Sequence, residues 1–483
     1  MNLDEYILGP PGTGKTTALI SRVTDALDNG IPPDRIGLLT FTKNAAEVAK
    51  ARIAEAFPGQ KFPYIRTIHS LTFGELGLDR KQTIQTKDTL AIADSIALKM
   101  KANDQAPHEE GDRVFQVLHL AAAMRCSLEE AAMHDGGSGV DFQKVLMASQ
   151  ALADYKNQTG KIDYMDMLSD FIAQGHTPPL DLLLVDECQD LSKIQWDLID
   201  MFDCPKIFAG DDDQSIYQWA GADVHDYLRR IRTGRQTILG TSYRLPRTVW
   251  HEANKVIQQV HDRVHKKWKP KDEEGQFLAV PSEFIPGFTR EGSYMVIGLF
   301  HFQLRHIRKR LKQEGTWFEE SNGKSSIPMP LVKAHTDWEH FRETGEIGPE
   351  LVPFCRKFMS VDTLRYFFFE KQNRKAGLRP IQDLLYFAKP KTIRDQDVTY
   401  YRAALAQVQK NKRPRIRLST VHKAKGDEAD HVLLCAPSSK RARQMNHGTR
   451  DELIRLVYVA MTRARHNLYV TRGVNFGEGH DEP

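Results

Sequence analysis

Gly9-Pro-Pro-Gly-Thr-Gly14-Lys15-Thr16 fits the spacing G-x-x-x-x-G-K-[ST], directly after a short apolar run and at the head of a helical pattern. Glycines so spaced let main-chain N–H groups turn inward around phosphate oxygens, and the helix N-terminus adds partial positive charge. In such a cradle Lys15 reaches the β- and γ-phosphates and the Thr16 hydroxyl ligates Mg2+, with Gly9, Gly12, Gly14 and Thr17 completing the loop. A P-loop also needs an acidic group on a neighbouring strand. The apolar run Asp181-Leu-Leu-Leu-Val185 leads straight into Asp186-Glu187-Cys188-Gln189-Asp190. Asp186 suits Mg2+ coordination through water, and Glu187 suits polarisation of an attacking water. Phosphoryl transfer further requires positive charge on the γ-phosphoryl group. Arg244 and Arg463 are candidates, although spacing alone does not assign them. Arg463 sits at the end of a helical pattern opened by Thr449-x-x-Glu452, with Leu453, Leu456, Val457 and Ala460 on its apolar face.

These groups need elements to hold them. Short apolar runs at Glu5–Leu8, Ile36–Phe41, Leu182–Val185, Lys206–Ala209, Thr237–Leu239, Tyr294–Leu299, His431–Cys435 and Asn467–Val470 predict buried strands. Helical spacing follows two of them, at Ala45, Val48, Ala49 and Ile53 and at Ile194, Leu198 and Ile199. Strands alternating with helices predict parallel α/β layers. Two stretches interrupt that alternation. One, near 76–165, is helical in pattern and broken at Gly136-Gly-Ser-Gly139; the other, near 313–412, is aromatic and basic. The chain is 483 residues long, which at about 150 residues per domain suggests about three domains. It carries 67 Lys+Arg against 63 Asp+Glu, a net charge of +4 too small to mark a nucleic-acid binder by itself. Hydrophobic residues at 41% and charged residues at 27% exclude global disorder. No uncharged apolar run approaches the ~18–20 residues that would cross a bilayer. Cys126, Cys188, Cys204, Cys355 and Cys435 form an odd, scattered set, against a disulfide framework or a zinc ribbon and in favour of a reducing compartment. His69 and His422 have no His or Cys at ligand spacing, so no metal role is expected for them.

The motifs recur in an ordered series. After the P-loop come Leu39-Thr-Phe-Thr-Lys-Asn-Ala-Ala46, Arg66-Thr-Ile-His69-Ser and Ile162-Asp-Tyr-Met-Asp-Met-Leu168. Then follow Val185-Asp-Glu-Cys-Gln-Asp190, Ala209-Gly-Asp-Asp-Asp-Gln214-Ser-Ile-Tyr217-Gln-Trp219-Ala-Gly-Ala222 and Ser242-Tyr-Arg244. Thr420-Val-His-Lys-Ala-Lys-Gly426-Asp-Glu428 and Tyr458-Val-Ala-Met-Thr-Arg463-Ala close it. In this order the chain resembles a compact superfamily 1 DNA helicase of the UvrD/Rep type. The resemblance implies two RecA-like P-loop core domains with parallel sheets, ATP held in the cleft between them, and an inserted, mainly helical subdomain in each. The first core would comprise residues 1–75 and 166–235, with the insert at 76–165. The second would comprise 236–312 and 413–483, with the insert at 313–412. Gln214 would sense the γ-phosphate, Arg244 and Arg463 would be arginine fingers, Tyr243 would stack on adenine and Glu428 would contact the ribose. The implied activity is DNA-dependent ATP hydrolysis, with Mg2+, driving 3′→5′ movement on single-stranded DNA and duplex unwinding. A translocase that strips proteins from single strands with little unwinding is the near alternative, and a non-motor P-loop DNA-binding switch is the alternative of another class.

Single-stranded DNA needs a charged groove and flat side chains on which bases stack. Phe41, Tyr217 and Trp219 stand in the matching motifs for stacking. Thr42, His69, Thr420 and His422 would supply backbone contacts by resemblance. Basic clusters lie at Arg229–Arg235, His261–Lys269, Arg305–Lys312, Lys410–Arg417 and Lys440–Arg450, the last favoured for DNA. The expected partners are single strands and single-strand/duplex junctions, together with replication or repair proteins, in the cytoplasm and on the nucleoid, or in a host cytoplasm for a phage-encoded chain. No membrane is expected as a partner. The chain departs from the family pattern at four points. Only eight residues precede Gly9, so the upstream adenine-reading glutamine motif is not expected and base discrimination should be weak. Ala220 replaces a common arginine, Ala429 replaces an aromatic after Glu428, and Cys188 replaces a frequent aromatic, as a small buried residue.

Overall fold

The computed structural model describes residues 4–102, 109–134, 139–281, 291–344, 348–349, 353, 395–408, 413–436 and 450–471. They form two compact units. One takes the described residues up to Gln276 together with 450–462, and the other takes those from Phe277 to Ala436 together with 463–471.

In the first unit, β1 (Glu5–Leu8), β2 (Ile36–Thr40), β3 (Ile65–Thr67), β4 (Leu182–Asp186), β5 (Lys206–Gly210) and β6 (Arg235–Ile238) form one parallel sheet. Its order is β3-β2-β4-β5-β1-β6. A parallel sheet is covered on both faces, so its strands read as near-continuous apolar runs, and β1, β2 and β4 are buried throughout. One face packs Leu19 and Val23 of α1 (Lys15–Asp28) and Ala49 and Ile53 of α2 (Lys43–Ala56). The other packs Ile68 and Leu71 of α3 (Ile68–Glu75) with Trp196, Phe208 and Tyr227. Val48, expected on the apolar face of α2, is 41% exposed; the buried stripe runs through Ala46, Ala49 and Ile53 instead.

The first insert is helical as expected: α4 (Thr86–Ser95), α5 (Glu110–Met124), α6 (Leu128–His134) and α7 (Phe142–Thr159). It has its own core of Val114, Val117, Leu120, Val145 and Ala148. Its incoming and outgoing chains meet at one bridge, where Ile84 N–H donates to Ile162 O at 2.9 Å and Ile162 N–H to Gln82 O at 2.9 Å. The chain returns through α8 (Tyr164–Gln174), whose Met165, Leu168 and Phe171 rejoin the first core. Helices α9 (Lys193–Asp200), α10 (Val224–Thr233) and α11 (Arg247–Ile257) complete this part of the chain.

The strand expected at Thr237–Leu239, beside the start of the second core at 236, belongs instead to the first sheet. Thr237 pairs with Ile7 and Ile238 with Leu8 along β1. The second sheet has the order β7-β12-β11-β8-β10-β9. Its strands are β7 (Gln276–Val280), β8 (Tyr294–Gly298), β9 (Phe318–Glu320), β10 (Ile416–Thr420), β11 (Ala429–Cys435) and β12 (Ala464–Thr471). Its helices are α12 (His301–Gln313), α13 (Met329–Thr344), α14 (Asp395–Val408) and the single turn α15 (Val421–Ala424). Tyr400, Ala404 and Leu405 of α14 and Leu331 of α13 share one core with Val296, Leu418 and Leu433 of the sheet, so these parts of the second insert pack directly on the strands. α16 (Arg450–Met461) lies in the first unit, where it packs on α11. Its buried side chains include Ile454, Val457, Tyr458 and Ala460, whereas Leu453 and Leu456 are only half-buried.

Candidate nucleotide and nucleic-acid site

The P-loop leaves β1 through Gly9, whose N–H donates to Gly210 O at 3.0 Å. Gly12 and Gly14 hold φ of +73° and +85°, in the left-handed region where a Cβ is strained. At Gly12 there is a second reason for glycine: a Cβ would collide with Cβ of Arg244. The Ser242–Arg244 segment lies against the loop, with Ser242 Oγ donating to Pro11 O at 2.7 Å and Tyr243 N–H to Gly12 O at 2.8 Å. The Lys15 side chain folds across Gly9, where a Cβ would overlap it. Its Nζ donates to Gly9 O at 3.2 Å and stands 3.8 Å from Glu187 Oε1, spanning from the loop to the acidic strand end.

Sheet order explains how three motifs converge. β5 lies between β1 and β4, so the loop after β5 emerges between the P-loop and the carboxylates that end β4. Thr16 Oγ1 donates to Asp186 Oδ2 at 3.4 Å. Asp186 is buried, and burial, followed by the neighbouring Glu187 carboxylate, raises its pKa despite Lys15. A hydroxyl beside a buried carboxyl group forms an all-oxygen donor set of the kind a hard cation takes. Glu187 has φ of +55°, an uncommon left-handed conformation for a non-glycine residue and costly by about 1–3 kcal/mol. Gln189, fully buried, donates from Nε2 to Glu187 Oε2 at 2.6 Å and to Asp190 Oδ2 at 3.1 Å.

The loop after β5 is fixed by charges that the sequence did not pair. Asp211, Asp212 and Asp213 are all buried. Lys266 Nζ sits among them, 2.9 Å from Asp211 Oδ1, 2.5 Å from Asp212 Oδ1 and 2.9 Å from Asp213 Oδ2. Arg263 donates to both oxygens of Asp213 at 2.7 and 2.5 Å, and Arg455 of α16 donates to Asp212 O at 3.0 Å. Burial acts to lower the Lys266 pKa, but the three carboxylates outweigh it and hold the ammonium well above its usual range. Asp211 Oδ2 in turn accepts from Gln214 Nε2 at 2.7 Å. Arg263 and Lys266, half of the cluster expected to be a solvated or DNA-facing basic stretch at His261–Lys269, are therefore internal. Three consecutive aspartates entering a buried loop were the available signal, since buried carboxylates need cations.

The same loop carries Tyr217 and Trp219, beside Phe41 at the end of β2. Tyr217 and Phe41 stand with ring centroids 5.1 Å apart, and Tyr217 and Trp219 6.2 Å apart. All three are half-buried, and Gln116 of α5 donates to Trp219 O at 3.4 Å. Thr42 accepts from Ala45 N–H at 3.2 Å as the N-cap of α2. His69 meets Tyr164 edge-on at 5.8 Å, and burial, with His119 and Lys43 adding to it, lowers its pKa to about 4. Tyr243, beside the P-loop, is 78% exposed, and Arg244 donates to Thr462 O at 3.4 Å.

Four of the expected site residues belong to the second unit. Thr420 is buried at the end of β10 and caps α15, on which His422 is half-buried. Arg463 is buried and donates to Asp427 O at 3.4 Å, while Glu428 pairs with Arg465. Other basic clusters are largely answered by local acids. Arg229, Arg230, Arg232 and Arg235 pair with Asp226, Asp200, Asp262 and Glu5. Arg308, Arg310 and Lys312 pair with Glu320, Glu314 and Asp397, and Arg417 with Glu319 and Asp427. Lys410 and all but the last residue of the favoured cluster Lys440–Arg450 lie outside the described residues, as do Cys355 and Thr449.

Residues 4–233 match the UvrD/REP helicase N-terminal domain, and residues 369–474 match the UvrD-like helicase C-terminal domain. A protein of Mycoplasma capricolum described as a probable DNA helicase II homolog is 24% identical over 368 residues, 69% of this chain and 50% of its own length. The ATP-dependent DNA helicase PcrA of Bacillus subtilis is 26% identical over 363 residues, 68% of this chain and 47% of its own. DNA helicase II of Escherichia coli is 27% identical over 289 residues, 54% of this chain and 39% of its own. The chain spans about half the length of the curated relatives it matches over most of its sequence.

Proposed function

This chain belongs to the UvrD/Rep-type helicases, and from that premise we propose that it is a DNA-dependent ATPase that moves 3′→5′ on single-stranded DNA and separates duplex ahead of it. The observation that carries the proposal is continuity within the first unit. Lys15, Glu187, Gln214 and the aromatic row Phe41–Tyr217–Trp219 follow the ends of the adjacent parallel strands β1, β4, β5 and β2, and the loop after β5 carries both Gln214 and Tyr217.

In this reading main-chain N–H groups of Gly12–Thr16 hold the phosphates of ATP and Lys15 neutralises the β- and γ-phosphoryl oxygens. Thr16, and Asp186 through water, hold Mg2+, which supplies charge neutralisation on the β- and γ-oxygens when bound. Glu187 polarises the attacking water, Gln214 contacts the γ-phosphate, and Arg244, already against the P-loop, stabilises the transferred group. The finger role of Arg463, the ribose contact of Glu428 and the adenine stack of Tyr243 rest on motif resemblance. Phe41, Tyr217 and Trp219 stack bases, and Thr42, His69, Thr420 and His422 contact the strand backbone. At pH 7 the depressed pKa of His69 leaves it neutral, so it acts as a hydrogen-bonding group and not as a phosphate counter-charge.

Strand displacement on substrates with a 3′ or a 5′ tail, with phosphate release measured alongside, tests the proposal. Unwinding of the 3′-tailed substrate coupled to DNA-stimulated hydrolysis is expected. Stimulated hydrolysis without displacement on either tail favours a translocase that clears proteins from single strands. Hydrolysis indifferent to DNA favours a P-loop switch.

A further inference from the structure

Gln189 makes contacts that the functional reading leaves unused. Its side chain is fully enclosed, and every polar atom of the amide is engaged. Nε2 donates to Glu187 Oε2 at 2.6 Å and to Asp190 Oδ2 at 3.1 Å. Oε1 accepts from Asp211 N–H at 3.0 Å. The amide orientation follows from chemistry: only the oxygen can accept from a main-chain N–H, so both amide hydrogens face carboxylates. The main-chain carbonyl of Gln189 also accepts from Ser215 Oγ at 3.0 Å. One residue thus joins the end of β4 to the loop after β5 at two points.

The connection continues in both directions. Asp211, whose N–H meets Gln189, holds Gln214 through its own carboxylate at 2.7 Å. Two residues beyond Ser215 the loop presents Tyr217, whose hydroxyl pKa is driven up by burial and then by the nearby carboxylates of Asp190 and Glu187. On the other side, Glu187 leaves β4 in a left-handed conformation and so lacks the regular strand geometry that would fix its side chain. A bond from Gln189 to one carboxylate oxygen supplies that restraint, and the other oxygen faces Lys15 at 3.8 Å.

We propose that Gln189 is a positioning residue: it holds the Glu187 carboxylate in its water-polarising orientation and ties it to the loop bearing Gln214, Tyr217 and Trp219, so that a base stacked on the aromatics is felt at Glu187. The proposal rests on Glu187 being the water-polarising group. A displaced loop moves Asp211 N–H, and with it the amide that orients Glu187. Gln189 neither touches nucleotide nor exchanges a proton.

ATP hydrolysis by the full chain, with and without oligodeoxythymidine, separates positioning from simple satisfaction of buried polar atoms. Four proteins are compared: wild type, Gln189→Met, Glu187→Gln and the double variant. Methionine keeps the volume and removes both donors. Gln189→Met is expected to lower DNA-stimulated kcat about 10- to 100-fold, the effect of one hydrogen bond to a charged group. KM for ATP should stay within about twofold, because ground-state binding is untouched. In the Glu187→Gln background the same change should lower kcat no further, since the orientation it protects no longer matters. Equal losses in both backgrounds, or a loss carried by KM and by a lower unfolding temperature, overturn the proposal. Should Gln189→Met not fold, Gln189→Glu repeats the comparison at equal size, and wild-type kcat in that variant also overturns it. Normal turnover in Glu187→Gln alone is a different result, and removes the functional reading itself.

Discussion

In the first sheet the ends of β1, β4 and β5 open into the P-loop, Asp186–Glu187 and Asp211–Gln214, where Asp186, Asp211, Asp212 and Asp213 are buried. In the second sheet β8 ends at Gly298 and β11 at Cys435, over a core of Val296, Leu418 and Leu433. Its buried polar groups include Asn467 and His431, which meet at 2.8 Å. Both sheets have six strands and crossover connections, so topology supplies the same kind of strand-end platform in each. What differs is what the strand ends carry. The left-handed backbone at the non-glycine Glu187 and a caged lysine beneath Gln214 are costs that packing alone would not select. Both stand at strand ends of the first sheet, beside the candidate nucleotide site.

Six substitutions break or sharpen that contrast. The largest effect is expected from Lys15→Ala or Glu187→Gln, which should cut DNA-stimulated phosphate release about 100- to 10,000-fold at unchanged unfolding temperature. Lys266→Met tests the cage. Removing one cation from three buried carboxylates should cost about 3–5 kcal/mol in denaturant unfolding, and a loss near zero would mean the cluster is hydrated and loose. For the second sheet, Leu433→Ala should cost about 2–5 kcal/mol as a packing defect, read by the same unfolding method. Trp219→Ala should weaken oligodeoxythymidine binding by about 1–3 kcal/mol in a fluorescence titration, and unchanged binding would remove Trp219 from the strand path. The smallest effect concerns the helical insert. The main-chain N–H of Gln85 first, then Lys161 and Tyr155, hold the Asp88 pKa down to about 2. A carboxyl depressed from ~3.9 when unfolded stabilises fully above that pH and progressively less as pH falls through about 2. The stability gap between wild type and Asp88→Asn should therefore be constant above pH ~4 and shrink below it.

Much of the candidate nucleotide site was legible because it is local. A P-loop needs its glycines, lysine and threonine within eight residues, and the carboxylate pair follows an apolar strand directly. The strands missed were β3, β7, β9 and β10. β3 and β9 have three residues each, too few for a period to show, and β10 reads Ile416-Arg-Leu-Ser-Thr420, with Arg417 partnering both Glu319 and Asp427. The cage was illegible because Lys266 lies 54 positions from Asp212, and no local pattern reports such a pairing. β6 was assigned to the wrong sheet because its pairing with β1 is likewise non-local: Ile238 meets Leu8.

The bridge that joins Gln82–Ile84 to Ile162 has a consequence for engineering. Both crossings of the helical insert pass side by side, so the four helices beyond them are joined covalently at one junction, while α5 docks back on the first core through Ala123. A different cassette of matching end-to-end spacing can be grafted there without re-registering any strand of the first sheet. The graft must still offer a surface where α5 now meets Gly221, whose missing side chain leaves room for Ala123. That contact, with the Gln116–Trp219 hydrogen bond and the Arg125–Asp197 ion pair, sets the specification a replacement has to meet.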